Sequence, residues 1–216
     1  MTLQAQLLVL AKEPLPGRAK TRLSPALSPV DAAGVARACL EDTLAAVACV
    51  DVLRRTVVLD GAAGPWLRTG TAVLRQRAGG LGDRLAGAYA DAAAVLDVPT
   101  LLIGMDTPQV TPDLLGDAVR LMVRSGQPVL GLAEDGGWWA LGLPRPLPGA
   151  FDGVPMSTAL AGRAQRDRLR ELGSPPLPLP VLRDVDLLED LLAVAPLTAP
   201  GSALADVVRR LGTVAA

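Results

Sequence analysis

Apolar positions along the chain switch between two spacings, and the switching predicts strands that alternate with helices. Leu7 to Ala11 is an unbroken apolar run closed by a Pro/Gly loop, the pattern of a strand buried on both faces. Ser28 then Pro29 supply a side-chain cap and a first-turn proline, after which apolar residues recur at helical spacing through Val47. Val52 to Leu59, rich in Val, Leu and Thr, predicts a second strand ended by Asp60 and Gly61. A short strand near Val73 follows, then a glycine-rich loop from Gly79 to Gly82, with Asp83 capping a helix that reaches about Leu96. Pro99 to Met105 is a strand that stops at Asp106, because Thr107 and Pro108 cannot continue a ladder.

Thr111 and Pro112 repeat the cap-plus-proline start of a helix. Val129 to Ala133 and Trp138 to Leu143 read as partner strands around the turn Glu134, Asp135, Gly136, Gly137. Proline-rich loops at Pro144 to Pro148 and Pro175 to Pro180 flank a helix that Ser157 or Thr158 would cap. Asp184 and Asp186 lie between a short strand and a helix starting near Leu187, and a last helix follows Gly201. There is no repeat of fixed period. Strands and helices in this order predict an α/β fold with a mostly parallel sheet covered on both faces, whose ligands bind at the carboxyl ends of the strands. The polar clusters at Lys12 to Arg22, Asp106, Asp135 and Asp184 to Asp186 all follow predicted strands, so one crevice would collect them.

Composition narrows the chemistry. At 216 residues, half of them hydrophobic and a fifth charged, the chain is expected to fold as one domain, residues 1–216. A net charge of −1 provides no field to draw nucleic acid or an anionic membrane, so any phosphate must be bound locally. No apolar run approaches a membrane span, and the run before Lys12 is too short for a signal peptide. With only Cys39 and Cys49, both expected in the core of one helix, a reduced cytoplasmic protein is expected. There is no histidine, which removes histidine-based triads and histidine-ligated metals. What remains is the chemistry of carboxylates, Lys, Arg, hydroxyls and backbone amides.

The first loop carries four cations in eleven residues: Lys12, Arg18, Lys20 and Arg22. Gly17 would let backbone amides approach a phosphate that the cations neutralise; without Walker spacing this is no ordinary P-loop, and the alternative is a solvated loop. Gly80, Gly82 and Arg84 form a glycine turn entering a helix, either an anion site or a plain turn. Asp106 sits at a strand tip, where a carboxylate can hold Mg²⁺ beside substrate phosphates or simply cap a turn. Asp184 and Asp186 supply further acid, one as ligand and the other as a helix cap. Glu134 and Asp135 lie on the Gly136–Gly137 turn beside Trp138 and Trp139, which either stack a substrate or fill the core.

Taken together, these motifs resemble the DUF2064 family of GT-A-type proteins, relatives of the nucleotide-diphospho-sugar transferases and of the 2-phospholactate guanylyltransferases. The resemblance runs from about Leu7 to about Leu192, with Met156 standing before Ser157 where the family often has an aromatic residue. It implies a GT-A three-layer sandwich with a mostly parallel central sheet. It also implies Mg²⁺ or Mn²⁺ on Asp106, Asp184 and Asp186, and nucleotide phosphates on the first loop and the Gly80–Arg84 turn. Three activities are compatible. In nucleotidyl transfer, a small phosphorylated or hydroxyl acceptor attacks the α-phosphorus of a nucleoside triphosphate and releases pyrophosphate, with Mg²⁺ on Asp106 and Asp186 neutralising developing charge and Arg18, Lys20 and Arg22 doing the same on the leaving group. In glycosyl transfer from a nucleotide-sugar, Asp135 is the candidate base or acceptor ligand; in either reaction Glu134, Asp135, Gly136, Gly137, Ser157 and Thr158 are the candidate acceptor contacts. The third is a non-catalytic nucleotide-binding protein. A homo-oligomer is compatible with so alanine-rich a chain.

Overall fold

The apolar run near the start of the chain becomes the centre of a sheet. The computed structural model describes residues 1–24 and 26–214. Along the chain run β1 (Leu3–Lys12), α1 (Pro29–Ala48), β2 (Val52–Asp60), β3 (Ala72–Arg75), α2 (Leu81–Val95), β4 (Thr100–Gly104) and α3 (Pro112–Ser125). They are followed by β5 (Val129–Leu132), β6 (Trp138–Leu143), α4 (Ala161–Glu171), β7 (Leu177–Pro178), α5 (Leu188–Val194) and α6 (Ala203–Val214). Among the described residues the strands form one seven-stranded sheet in the order β3-β2-β1-β4-β6-β5-β7. All neighbours pair parallel except β6, which runs antiparallel to both β4 and β5.

Alternation along the central strands explains why their sequences are apolar throughout. Leu7 and Val9 face α1 and α3, packing with Leu40, Leu44, Leu115 and Met122. Leu8, Val58 and Leu102 face the other way, onto Leu85 and Tyr89 of α2 and Leu169 of α4. A third cluster packs α5 and α6 on the outer side of α1, through Val35, Cys39, Leu191 and Leu204. The expected α/β sandwich with a mostly parallel sheet is thus the fold. No helix among the described residues is long and apolar enough to cross a membrane.

The caps follow the sequence where a side chain and a proline coincide. Ser28 and Thr111 accept the amide hydrogens of Asp31 and Leu114. Elsewhere the expectation is corrected. Asp83 is not the cap of α2 but its third residue, and its carboxylate reaches back to the Gly80 amide at 3.0 Å. Neither Ser157 nor Thr158 caps α4: the helix starts at Ala161, and Thr158 Oγ1 instead donates to the Pro155 carbonyl and accepts the Leu160 amide. Neither Asp184 nor Asp186 caps α5, because Asp190 takes that role by accepting the amides of Asp186 and Leu187. Cys39 is buried as expected, its thiol pushed up to about 12 by burial, whereas Cys49 follows the end of α1 and is exposed.

Candidate active site

The site is assembled at the carboxyl ends of β1 and β4 from three distant segments. The loop after β1 is pinned by two small anchors: Ala19 is buried in the core under the sheet, and Leu23 in the cluster between α1 and α6. Between the anchors the backbone turns through Lys20 in the left-handed region, at φ 51°, and enters a 3-10 turn over Thr21–Leu23. A non-glycine residue adopts that conformation only when its surroundings fix it. The result is a lysine held in place at its backbone, with its side chain directed across the strand ends.

β4 delivers Asp106 two residues past its last ladder position. The chain near residue 185 is stitched to it: the Val185 amide donates to the Asp106 carbonyl at 2.9 Å, and Gln109 Nε2 donates to the Arg183 carbonyl at 2.7 Å. Val185 is fully buried; of its two neighbours, Asp186 lines the cleft and Asp184 is half-buried. The Lys20 ammonium then bridges two acids, 2.5 Å from Asp106 Oδ1 and 2.9 Å from Asp186 Oδ1, with its side chain only 6 % exposed. Arg22 reaches the other oxygen of Asp186 at 3.5 Å. Burial alone would lower the Lys20 pKa, but the charges of Asp106 and Asp186 outweigh it and hold the pKa above the ordinary lysine range.

Asp184 is less well served. No hydrogen bond or ion pair holds its carboxyl among the described residues, and burial, with the charges of Asp106 and Asp135, pushes it up to about 7. A cleft of about 470 Å³ opens over these groups, with Lys12, Arg18, Lys20, Arg22, Asp106, Asp186 and Ser157 in its walls. Lys12 and Arg18 have no ion pair among the described residues, so their charges face the cleft uncompensated.

The other sequence candidates fall around this centre. Gly17, at φ 73°, makes the turn ahead of Lys20. Glu134 is clamped by Arg183 at 2.6 Å, and Asp135 accepts the Gly137 amide of its own turn at 2.8 Å. Gly136 is required there, since a Cβ at its φ of 89° would run into the Ala159 carbonyl. Ser157, also at positive φ, reaches the cleft, while Thr158 turns to its own loop. Trp139 is core, its indole N–H on the Pro180 carbonyl, and Trp138 is half-buried. Gly80, Gly82 and Arg84 do not line the cleft. Arg84 instead donates to Gln76, whose own amide bonds the carbonyls of Ala11 and Val58 and so ties the ends of β1, β2 and β3 together. Sequence reasoning passed over Gln76, although a glutamine directly after a strand was the available signal.

A hard divalent cation fits this donor set in kind: carboxylate oxygens suit Mg²⁺, which needs only one or two of them beside substrate phosphates. No three acids among the described residues are gathered tightly enough to ligate one ion by themselves. Asp106 and Asp186, already drawn to one cationic point, are the pair that would hold it. A larger groove of about 960 Å³ lies elsewhere, along α1 and the start of α6. Its acids are engaged: Asp42 accepts the amides of Ala203 and Leu204, Glu41 pairs with Arg37, and Asp206 with Arg209.

Solved structures share this architecture. A protein of Desulfovibrio desulfuricans G20, provisionally named a nucleotide-diphospho-sugar transferase, is similar at 23 % identity and a TM-score of 0.87, over 99 % of this chain and 96 % of its own. The 2-C-methyl-D-erythritol 4-phosphate cytidylyltransferase of Thermus thermophilus is similar at 17 % identity and a TM-score of 0.53, over 91 % and 99 %. CMP:2-keto-3-deoxy-manno-octonic acid synthetase, in complex with CTP, is similar at 14 % identity and a TM-score of 0.55, over 88 % and 96 %. The fold is therefore that of the nucleotide-diphospho-sugar transferases, and these neighbours are transferases. No curated protein matches the chain in sequence. Residues 35–158, more than half the chain and including Asp106 and Asp135, match the family described as "Uncharacterized protein conserved in bacteria (DUF2064)", and the chain belongs to that family.

Proposed function

We propose that the chain is a metal-dependent transferase that takes a nucleotide donor, and that it transfers a nucleotidyl group from a nucleoside triphosphate to a small phosphorylated or hydroxyl acceptor. The observation that carries this reading is a cleft in which two carboxylates, one just past β4 and one in the loop before α5, drawn to one cationic point, share the lining with the uncompensated charges of Lys12 and Arg18. Carboxylates and cations in one cleft match a polyphosphate with its counter-ion. Asp106 and Asp186 would hold Mg²⁺ or Mn²⁺, with Asp184 beside them; the ion supplies charge neutralisation on the phosphates. Lys12 and Arg18 would bind and orient the phosphate chain, and the left-handed turn at Lys20 keeps the loop over the strand ends. Ser157 and the Asp135–Gly137 turn stand on the acceptor side, where Asp135 would take the proton of an attacking hydroxyl. The cytidylyltransferase neighbours support nucleotidyl transfer by fold.

Glycosyl transfer from a nucleotide-sugar is the second reading, favoured by the name of the Desulfovibrio neighbour, whose fold is so similar. Melting temperature against nucleoside triphosphates and nucleotide-sugars, with and without Mg²⁺, separates the readings. A ligand at ~100 times its dissociation constant adds about 2.7 kcal/mol, roughly 5 to 10 °C for a chain of this size. A Mg²⁺-dependent shift with one triphosphate, lost in Asp106→Asn, and release of pyrophosphate on turnover are expected. A shift with a nucleotide-sugar alone selects glycosyl transfer, and no shift with any ligand overturns both.

A further inference from the structure

We infer that Lys20 is a resident counter-ion that a divalent cation displaces, and that the freed ammonium then becomes a ligand of the donor's phosphates. This rests on the nucleotide-donor reading above. Its ammonium lies between Asp106 and Asp186, at 2.5 and 2.9 Å, the two carboxylates best placed to hold a metal ion. An ammonium and a divalent cation cannot share that pair of oxygens, because like charges so close repel strongly in a partly buried site. Entry of the metal and departure of the ammonium are therefore one event.

Where the ammonium goes is set by the loop. Its backbone is fixed by buried Ala19 and Leu23 on either side, so only the four-carbon stem of Lys20 can swing. Lys20 lines the cleft together with Lys12 and Arg18, the cations that would face the phosphates. A compact ammonium on a flexible stem suits this exchange, whereas the planar fork of Arg does not. The chain holds only two lysines against nineteen arginines, Lys12 at the end of β1 and Lys20 in the loop that follows it. Metal and phosphate binding become mutually dependent: each alone must break the Lys20 bridge or leave the ammonium behind, and together they use it twice.

The test titrates the full chain and its Lys20→Met variant with Mn²⁺ alone and with pyrophosphate alone. The variant is expected to bind Mn²⁺ alone about tenfold tighter than the unmodified chain, within the ordinary range of coupling between sites, and pyrophosphate more weakly. Equal or weaker Mn²⁺ affinity in the variant overturns the exchange, since a lysine that only bound phosphate would leave the metal unaffected. A second measurement needs no variant. In the unmodified chain, an amine-reactive ester should modify exposed Lys12 readily and Lys20 slowly. Mn²⁺ should accelerate Lys20, and added pyrophosphate should protect it again. If Mn²⁺ binds without changing the rate at Lys20, the exchange is wrong and the donor reading stands. If the unmodified chain binds neither probe and no ligand shifts its melting temperature, the donor reading falls first and the exchange with it.

Discussion

Asp184 is the residue at which burial, aided by the negative charge of Asp106 and Asp135, acts against the fold. Folding raises its pKa from 3.8 to about 7, so within that window the folded chain binds more protons than the unfolded chain. Stability therefore falls as pH climbs from about 4 through 7 and stays reduced above, by on the order of 2–4 kcal/mol at most. Asp184→Asn should melt higher than the unmodified chain at pH 8, with the gap closing toward pH 4; a gap of constant size would show that the carboxyl does not titrate against the fold. Gly136 makes the opposite kind of demand, one of space. Gly136→Ala should cost about 1–3 kcal/mol, seen as a lower urea midpoint, because the new Cβ meets the Ala159 carbonyl at a φ that disfavours it.

At the scale of elements, the legible features were those written in adjacent residues. Ser28–Pro29 and Thr111–Pro112 announced the starts of α1 and α3 because cap and proline act within a single turn. Thr111→Ala should cost about 1 kcal/mol, a loss of roughly 2–4 °C in melting temperature. The start of α4 was misread because its first turn uses Leu160 with no side-chain cap, so the hydroxyls at Ser157 and Thr158 drew the boundary too early. β7, two residues ending in Pro178, lacks any strand pattern and exists because β5 offers an edge to pair with. Apolar spacing alone puts Cys49 in the core, because it cannot tell the residue just past an alanine-rich helix from the helix interior. Asp106, Asp184 and Asp186 could be picked out because each follows an apolar run. That Lys20 bridges two of them depends on packing of Ala19 into one cluster and of Leu23 and Val185 together into another, which no local pattern records.

Across the whole molecule, Asp42 is the tie between the sheet-covering layer and the end of the chain. From the middle of α1 it accepts the first two amides of α6, at 2.8 and 2.9 Å, where a carboxylate also answers the helix dipole. Asp42→Ala should raise hydrogen exchange throughout α6 while leaving β1 and β4 protected; uniform exchange through both would mean the two layers unfold as one.

The stitch between Val185 and Asp106 also sets a clock. Asp186 leaves the ribosome eighty residues after Asp106. At about 5–20 residues per second that interval is roughly 4 to 16 s, during which the sheet's centre and the cationic loop exist without their second carboxylate. A chain whose seven strands have all emerged still lacks its second carboxylate, so stalling translation with residues up to Leu179 outside the ribosome and Asp186 still inside should yield chains whose sheet resists protease yet which ignore nucleotide.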